Sequence, residues 1–488
     1  MKRIHIINIL LTVVIFLTSC ENFLFEDPKA AISSENFFKT QNDALVAINA
    51  IYSSITGYYG SNVYYYGDIS TDIANNGAGV GGLQVMDYLI TDETFRGTWT
   101  VLFRTINYAN LAIRHISGIQ MDEAIKVRSI AEARFLRALC YFELVKCFGG
   151  VPKITEPTVD DSNNRLPRAT VNEIYELIIQ DLEHAESALK TTTDVGRPTQ
   201  GAAKSMLAKV YIQRGDWTNT LKKTSEVIQS GIYKLVPDYK DVFDVKKENG
   251  VEHIFSIQFK SGSALGGGSG YTSAFACRGP NIMLNGQTGG EAIATRRTFY
   301  QSVPNHYRKE RFLVEEFPSP HYPEITAKGV VTVGPACMKY WDPTFGVNVG
   351  GGDNNWMVVR YADVLLMYAE AENEINGPTV NAYEKINEVR KRARDRNGDG
   401  TDEPDDLAEL PDLESLTKDE FRDAVAKERA MELCFEGHHR WDLLRTNKFL
   451  SAMKEIGLSP SEMHLLFPIP RLEILANPNL TQNPLYPD

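Results

Sequence analysis

The chain has 488 residues, 51 of them basic and 63 acidic, for a formal net charge of −12. That balance excludes a protein built to hold nucleic acid by bulk charge, and six cysteines over this length exclude a scaffold made of disulfides. With 43% apolar side chains the chain can bury a core along its whole length, which excludes wholesale disorder.

Lys2 and Arg3 lead into an apolar run from Ile6 to Leu17, followed by Leu17-Thr18-Ser19-Cys20. These are the three parts of a secretory signal. As a helix the run would span only about 18 Å, well short of the roughly 30 Å of a hydrocarbon core, so it reads as exported and cleaved. The ending LTSC resembles the bacterial lipobox, in which the cysteine is lipidated and becomes the first mature residue. Residues 1–19 are then a signal peptide, and Cys20 carries three hydrocarbon tails that anchor the chain permanently. The other reading is a signal that ends at a free cysteine by chance. The remaining cysteines, Cys140, Cys147, Cys277, Cys337 and Cys434, are odd in number and widely spaced, with no CxxC or Cys/His set. They read as buried thiols.

In the mature chain the spacing of Leu45, Ile48 and Ile51 predicts a first helix over 41–55. Residues 57 to 96 break the periodicity with Gly, Asn, Asp and tyrosines. Residues 98 to 230 read as consecutive helices. Trp99, Phe103, Ile106 and Ala109 mark one whose Trp99 belongs to the core. Ala138 with Tyr141, and Ala208 with Tyr211, repeat a small residue three before a tyrosine inside an apolar stripe. Gly215-Asp216-Trp217 then turns the second stripe into another helix, the pattern of a tetratricopeptide-like hairpin. The helix over 171–189 partners the first hairpin, and the stripe of Tyr361, Val364, Leu365, Tyr368 and Ala369 with the helix over 381–394 forms a later one. A fourth pair is expected from 418–435 with 439–454. Between the helical regions, residues 250 to 352 are rich in glycine and carry only short β-like runs, at 253–259 and 330–333. Such a segment reads as a functional insertion on a rigid scaffold. The fold class is therefore mainly α: about four tetratricopeptide-like helix pairs with a long irregular insertion. The expected division is one domain over 20–488, with a helical part at 20–240, the insertion at 241–357 and a second helical part at 358–488.

Several segments resemble a known family: the lipobox, AEARFLRALCYFELVKCFGGVP at 131–152, RYADVLLMYAEAEN at 360–373, INEVRKRA at 386–393, ERAMELCFEGHHRWDLLR at 428–445 and LFPIPRLEILANPNLTQNP at 466–484. They resemble the SusD/RagB lipoproteins, in order and from end to end. The resemblance implies a nutrient-binding lipoprotein of the outer membrane that binds glycans. It implies delivery of the glycan to a SusC-like TonB-dependent β-barrel transporter, and it implies no catalytic residues and no required cofactor.

Sugar faces stack on aromatic rings and sugar hydroxyls pair with planar amide, carboxylate and guanidinium groups. On that chemistry the glycan-binding candidates are Asp68, Asp72, Asn75 and Asn76 in the first irregular stretch, with the tyrosines around them, and Arg278, Asn281, Tyr340, Trp341 and Trp356 in the insertion. Trp341 stands out because no helical face is there to absorb it. A basic cluster of Arg296, Arg297, Arg308, Lys309 and Arg311 is a candidate for a polyanion. Asp395, Asn397, Asp399, Thr401 and Asp406 follow an EF-hand-like spacing around Gly400 and read either as a structural calcium loop or as a solvated acidic connection. Gly77 to Gly82 satisfies GxGxxG, but no strand precedes it, so a flexible loop explains it better than a nucleotide. Glu436, His438, His439 and Asp442 read as packing and ion pairs between helices. The rival to a glycan-binding lipoprotein is a helical-repeat scaffold that binds a protein or peptide; an exported glycoside hydrolase comes third.

Overall fold

The computed structural model describes residues 37–75, 82–158, 165–262, 267–278, 289–323, 325, 333–342, 345 and 351–487. The signal segment, Cys20, Asn76, Asn281, the GxGxxG stretch up to Gly81 and the expected β-like run at 330–332 lie outside the described residues.

Helices α1 (Gln41–Tyr59), α2 (Glu93–Ile116), α3 (Glu123–Phe148), α4 (Val171–Ala188), α5 (Gln200–Gln213) and α6 (Trp217–Gln229) make the first helical region. Helices α7 (Tyr361–Asn376), α8 (Val380–Arg394), α9 (Lys418–Glu432), α10 (His439–Arg445) and α11 (Phe449–Glu455) make the second. Three starts are written plainly in the chain as capping boxes: Thr40 with Asp43, Thr170 with Glu173 and Thr417 with Glu420 each exchange side-chain and backbone hydrogen bonds. From α1 to α6 each helix packs on the next, and α6 passes the stack on to α7.

The expected hairpins α3–α4, α5–α6 and α7–α8 are all present. Ala138, Ala208 and Ala369 are completely buried, as small residues at close helix crossings must be. The fourth pair differs from expectation. Its second helix is broken at Asn447, whose φ of 57° is left-handed, and α9 packs mainly against α7. A continuous helix through that point would require the αR region, so the segment splits into α10 and α11.

Strands are short and pair at a distance in sequence. β1 (Ala74–Asn75) pairs with β3 (Ala294–Thr295), β2 (His253–Ile257) with β6 (Trp356–Arg360), and β4 (Leu313–Val314) with β5 (Ala336–Cys337), all antiparallel. The main apolar cluster runs from Ala44 to Tyr486 and takes in both helical regions; a smaller one, with Tyr239, Phe312, Met338 and Trp341, lies within the central segment. The five described cysteines are buried free thiols.

A buried ion cluster joins the central segment to the second helical region. Arg360, at the end of β6, binds Glu252 at 2.8 Å, Glu432 at 2.7 Å and Glu436 at 2.7 Å. Arg392 of α8 reaches Glu252 at 2.7 Å and Glu432 at 2.6 Å. Arg308 holds Glu428 at 2.7 Å and Glu432 at 2.6 Å, and Arg390 holds the other oxygen of Glu428 at 2.9 Å. Lys339 donates to Glu436 at 2.6 Å and to the carbonyls of Glu432 and Cys434. Burial alone would push the Glu432 carboxyl up, but Arg392, Arg360 and Arg308 hold it far below the usual carboxylate range.

Glu432→Ala leaves these guanidinium groups buried with too little counter-charge. We expect it to cost about 3–5 kcal/mol of unfolding free energy in urea denaturation. A loss below about 1 kcal/mol would contradict this role for the cluster.

Candidate functional site

Irregular segments from three parts of the chain meet where β1 pairs with β3. Ala74 faces Thr295 and Asn75 faces Ala294. The Arg296 backbone N–H closes the ladder onto Ile73 O at 2.8 Å, and its guanidinium donates to Ala74 O at 3.1 Å. A third segment enters beside them: Thr295 N–H donates to Pro335 O at 2.8 Å and Val333 N–H to Glu291 Oε1 at 3.0 Å. The approach requires Gly334, since a Cβ there would stand 2.0 Å from Thr295 O.

Asn75 is the hub of this rim. Its Nδ2 donates to Val333 O at 3.4 Å and its Oδ1 accepts from Gln84 Nε2 at 3.2 Å. Arg278 is exposed and donates through Nε to Gly290 O at 3.3 Å. Three chain segments distant in sequence thus meet here, with Asn75 and Gln84 partly exposed and Arg278 exposed, so amide and guanidinium groups that suit sugar hydroxyls are there, while Glu291 is buried and braces the Val333 N–H.

Below the rim the irregular stretch is tied to the second helical region. The π-helical turn Tyr65–Ile69 lies against Gly437 so closely that a Cβ on Gly67 would be 2.5 Å from the Gly437 backbone. Gly437 N–H donates to Asp68 Oδ2 at 2.8 Å, while Asp68 Oδ1 is buried and has no hydrogen-bond partner. Burial pushes the Asp68 carboxyl up to about 7, although the Gly437 bond, His439 and Lys339 work the other way. Four residues on, His439 Nε2 donates to Asp72 Oδ1 at 2.8 Å. Burial raises Asp72 and lowers His439, but their attraction outweighs it, holding Asp72 below and His439 above their ordinary values.

Of the sequence candidates, Asn75 and Arg278 reach the rim and Asp72 stands just beneath it. Asp68, Tyr340 and Trp356 are corrections: all three are buried, at 0%, 2% and 1% exposure. Tyr340 and Trp356 stack on each other at 5.4 Å with a 6° interplanar angle, and Tyr340 OH donates to Phe435 O. They are core rings. Trp341 is a correction too, since its ring is buried in the smaller apolar cluster and leaves no face for a sugar. The tyrosines of the first irregular stretch are mostly core: Tyr58 and Tyr59 bind Glu143, and Tyr66 binds Thr98.

The basic cluster is spent internally, Arg308 on Glu428 and Glu432, Lys309 on Val303 O and Asn305, Arg297 on Glu315, Arg311 on His321 O and Arg296 on Ala74 O. The oxygens of the acidic loop bond within the chain. Asp395 accepts the N–H groups of Asn397, Gly398 and Gly400, Asp399 accepts from Asn397 and Thr401, and Asp406 pairs with Arg396 at 3.1 Å. Among the described residues no group of three or more His, Cys, Asp or Glu is placed to hold a metal. Nothing in the sequence marks Gln84, which carries no motif, and Arg296 stands out there only as part of the basic cluster; the crossing of distant segments brings Arg296 beside Ala74.

Comparison with known proteins adds a second kind of evidence. Residues 28–212 match a family model described as starch-binding associating with outer membrane, and residues 314–486 match that of the SusD family. A SusD-like protein from Formosa agariphila, P25, is 29% identical over 527 residues covering 95% of each chain. The starch-binding protein SusD of Bacteroides thetaiotaomicron is 25% identical over 75% of this chain and 74% of its own. Among solved structures, a SusD superfamily protein from Parabacteroides distasonis superposes with a TM-score of 0.77 at 27% identity, covering 93% of this chain and 100% of its own. A laminarin-binding SusD-like protein gives 0.76 at 25% identity, over 92% of this chain and 100% of its own. No helix among the described residues is long and apolar enough to cross a membrane.

Asp68 gives the region a pH signature. Its raised pKa means the folded chain keeps a proton that the unfolded chain, at about 3.9, gives up. The contribution is complete below pH 4 and is lost as pH rises through about 7. Asp68→Asn cannot titrate, so its unfolding free energy relative to wild type should rise steadily from pH 4 to 7. A constant difference across that range would contradict a buried, protonated Asp68.

Proposed function

Because the chain belongs to the SusD/RagB family, we propose that it is a cell-surface lipoprotein, anchored through Cys20 on the outer membrane, that captures a glycan without cleaving it. It delivers that glycan to a SusC-like TonB-dependent β-barrel transporter. The observation that carries the reading is that family likeness runs through both helical regions, with relatives and solved neighbours that are named for binding starch and laminarin. The rim agrees with it in chemistry. Amide and guanidinium groups stand there, and the Asp68 carboxyl, raised by burial, is sealed in the core instead of being offered to a substrate.

In this reading the helix stack is the frame, residues 20–488 act as one domain, and the segments between 241 and 357 together with the stretch after α1 carry the ligand. Nothing in the role needs a metal or cofactor.

The test is binding of starch and laminarin by the chain lacking residues 1–20, measured by affinity electrophoresis, with a reducing-end assay on the same samples. Retention on at least one polymer without release of reducing ends is expected. Arg278→Ala should weaken that binding by about 1–3 kcal/mol, the range for a hydrogen bond to a charged group. Release of product would make the protein a hydrolase, and retention of neither polymer would remove the glycan reading for both.

A further inference from the structure

Helix α2 carries an apolar stripe that the fold leaves partly open, and none of the rim residues lines it. Trp99, Phe103, Ile106 and Asn107 lie along one face and floor a groove of about 640 Å³. Pro152 and Ile154 line one side, and the C-terminal segment lines the other through Ala476 and Leu480. Trp99 turns most of its ring into the core against Phe148, so Phe103, half-buried and 4.8 Å from the Trp99 ring, is the surface offered.

Three planar polar groups stand around that floor with bonding capacity to spare. Asn107 Oδ1 accepts the Thr158 N–H at 2.9 Å, and its Nδ2 has no partner among the described residues. The Arg165 guanidinium is exposed, and neither it nor the Glu473 carboxylate forms an ion pair among the described residues. Burial raises the Glu473 carboxyl against the pull of Arg96.

A ring face bordered by an amide, a guanidinium and a carboxyl is what a pyranose requires, the face for its C–H side and the rim for its hydroxyls. An extended peptide would need a free strand edge for its backbone, and the extended stretch along this groove, Pro152 to Thr158, already spends its backbone on Tyr141, Asn110, Asn107 and the bridge to Arg168. We propose that the groove between α2 and the C-terminal segment is a second carbohydrate-contact site, taking a short stretch of neutral oligosaccharide. It rests on the reading of the protein as glycan-binding and adds to it. A polymer engaged here and at the rim is held at two points, and its second contact forms at high effective concentration.

Ala476 is exposed on the groove wall, so Ala476→Trp fills the space without entering the core. Calorimetric titration with laminarihexaose and maltohexaose should show two binding events per wild-type chain for the accepted sugar. One event should remain in Ala476→Trp, and affinity for the parent polymer should fall at least tenfold. Phe103→Ala should lose the same event as Ala476→Trp, and Arg278→Ala should lose the other. A single event in the wild type, or two in Ala476→Trp, overturns the groove while leaving the glycan reading standing. No binding of either sugar or its polymer by the wild type overturns both.

Discussion

Glu432 is the point at which separate parts of this chain are forced to agree. Its two carboxylate oxygens are shared among Arg308, Arg360 and Arg392, which come from the central segment, the end of β6 and α8. None of these groups tolerates burial alone, since a buried charge without a partner costs several kcal/mol. The central segment therefore cannot lift away from α8 and α9 without stranding five cations and four carboxylates. A cluster of this kind adds little net stability over an apolar core of the same shape, but it specifies one arrangement, and here that arrangement sets where the irregular segments lie.

From that fixed point the site follows in short steps. Glu436 is held by Arg360 and Lys339; the next residue, Gly437, packs on the π-helical turn and binds Asp68; His439 then binds Asp72. Asp72 is three residues before Asn75, where the chain reaches the rim. The proposed binding surface, built on loops, is thereby referred to the helix stack through a chain of buried polar contacts, the rigid support that loop sites need.

Much of the helix stack was legible because its information is local. Capping boxes at Thr40, Thr170 and Thr417, and the Ala–Tyr stripes in α3 and α5, depend on residues three or four apart. The site was legible only in part. Asn75 and Arg278 reach the rim because polar residues in irregular segments stand at the surface as a rule. Trp341, Tyr340 and Trp356 were misjudged for the complementary reason. Without helical periodicity nothing in the sequence tells a ring on a surface from a ring packed between segments far apart, and Tyr340 meets Trp356 only through tertiary contact. In the acidic loop the spacing of Asp395, Asp399 and Asp406 suits calcium, and only the structure shows that Arg396 and the loop's own N–H groups bond to their oxygens.

The central claim is that ligand is held by the rim that the ion cluster positions. Hydrogen–deuterium exchange of the chain, with and without the glycan it retains, tests this most directly. The account predicts slower exchange on binding in peptides covering residues 72–88 and 278–296. Unchanged exchange in both, with the glycan demonstrably bound, would contradict it.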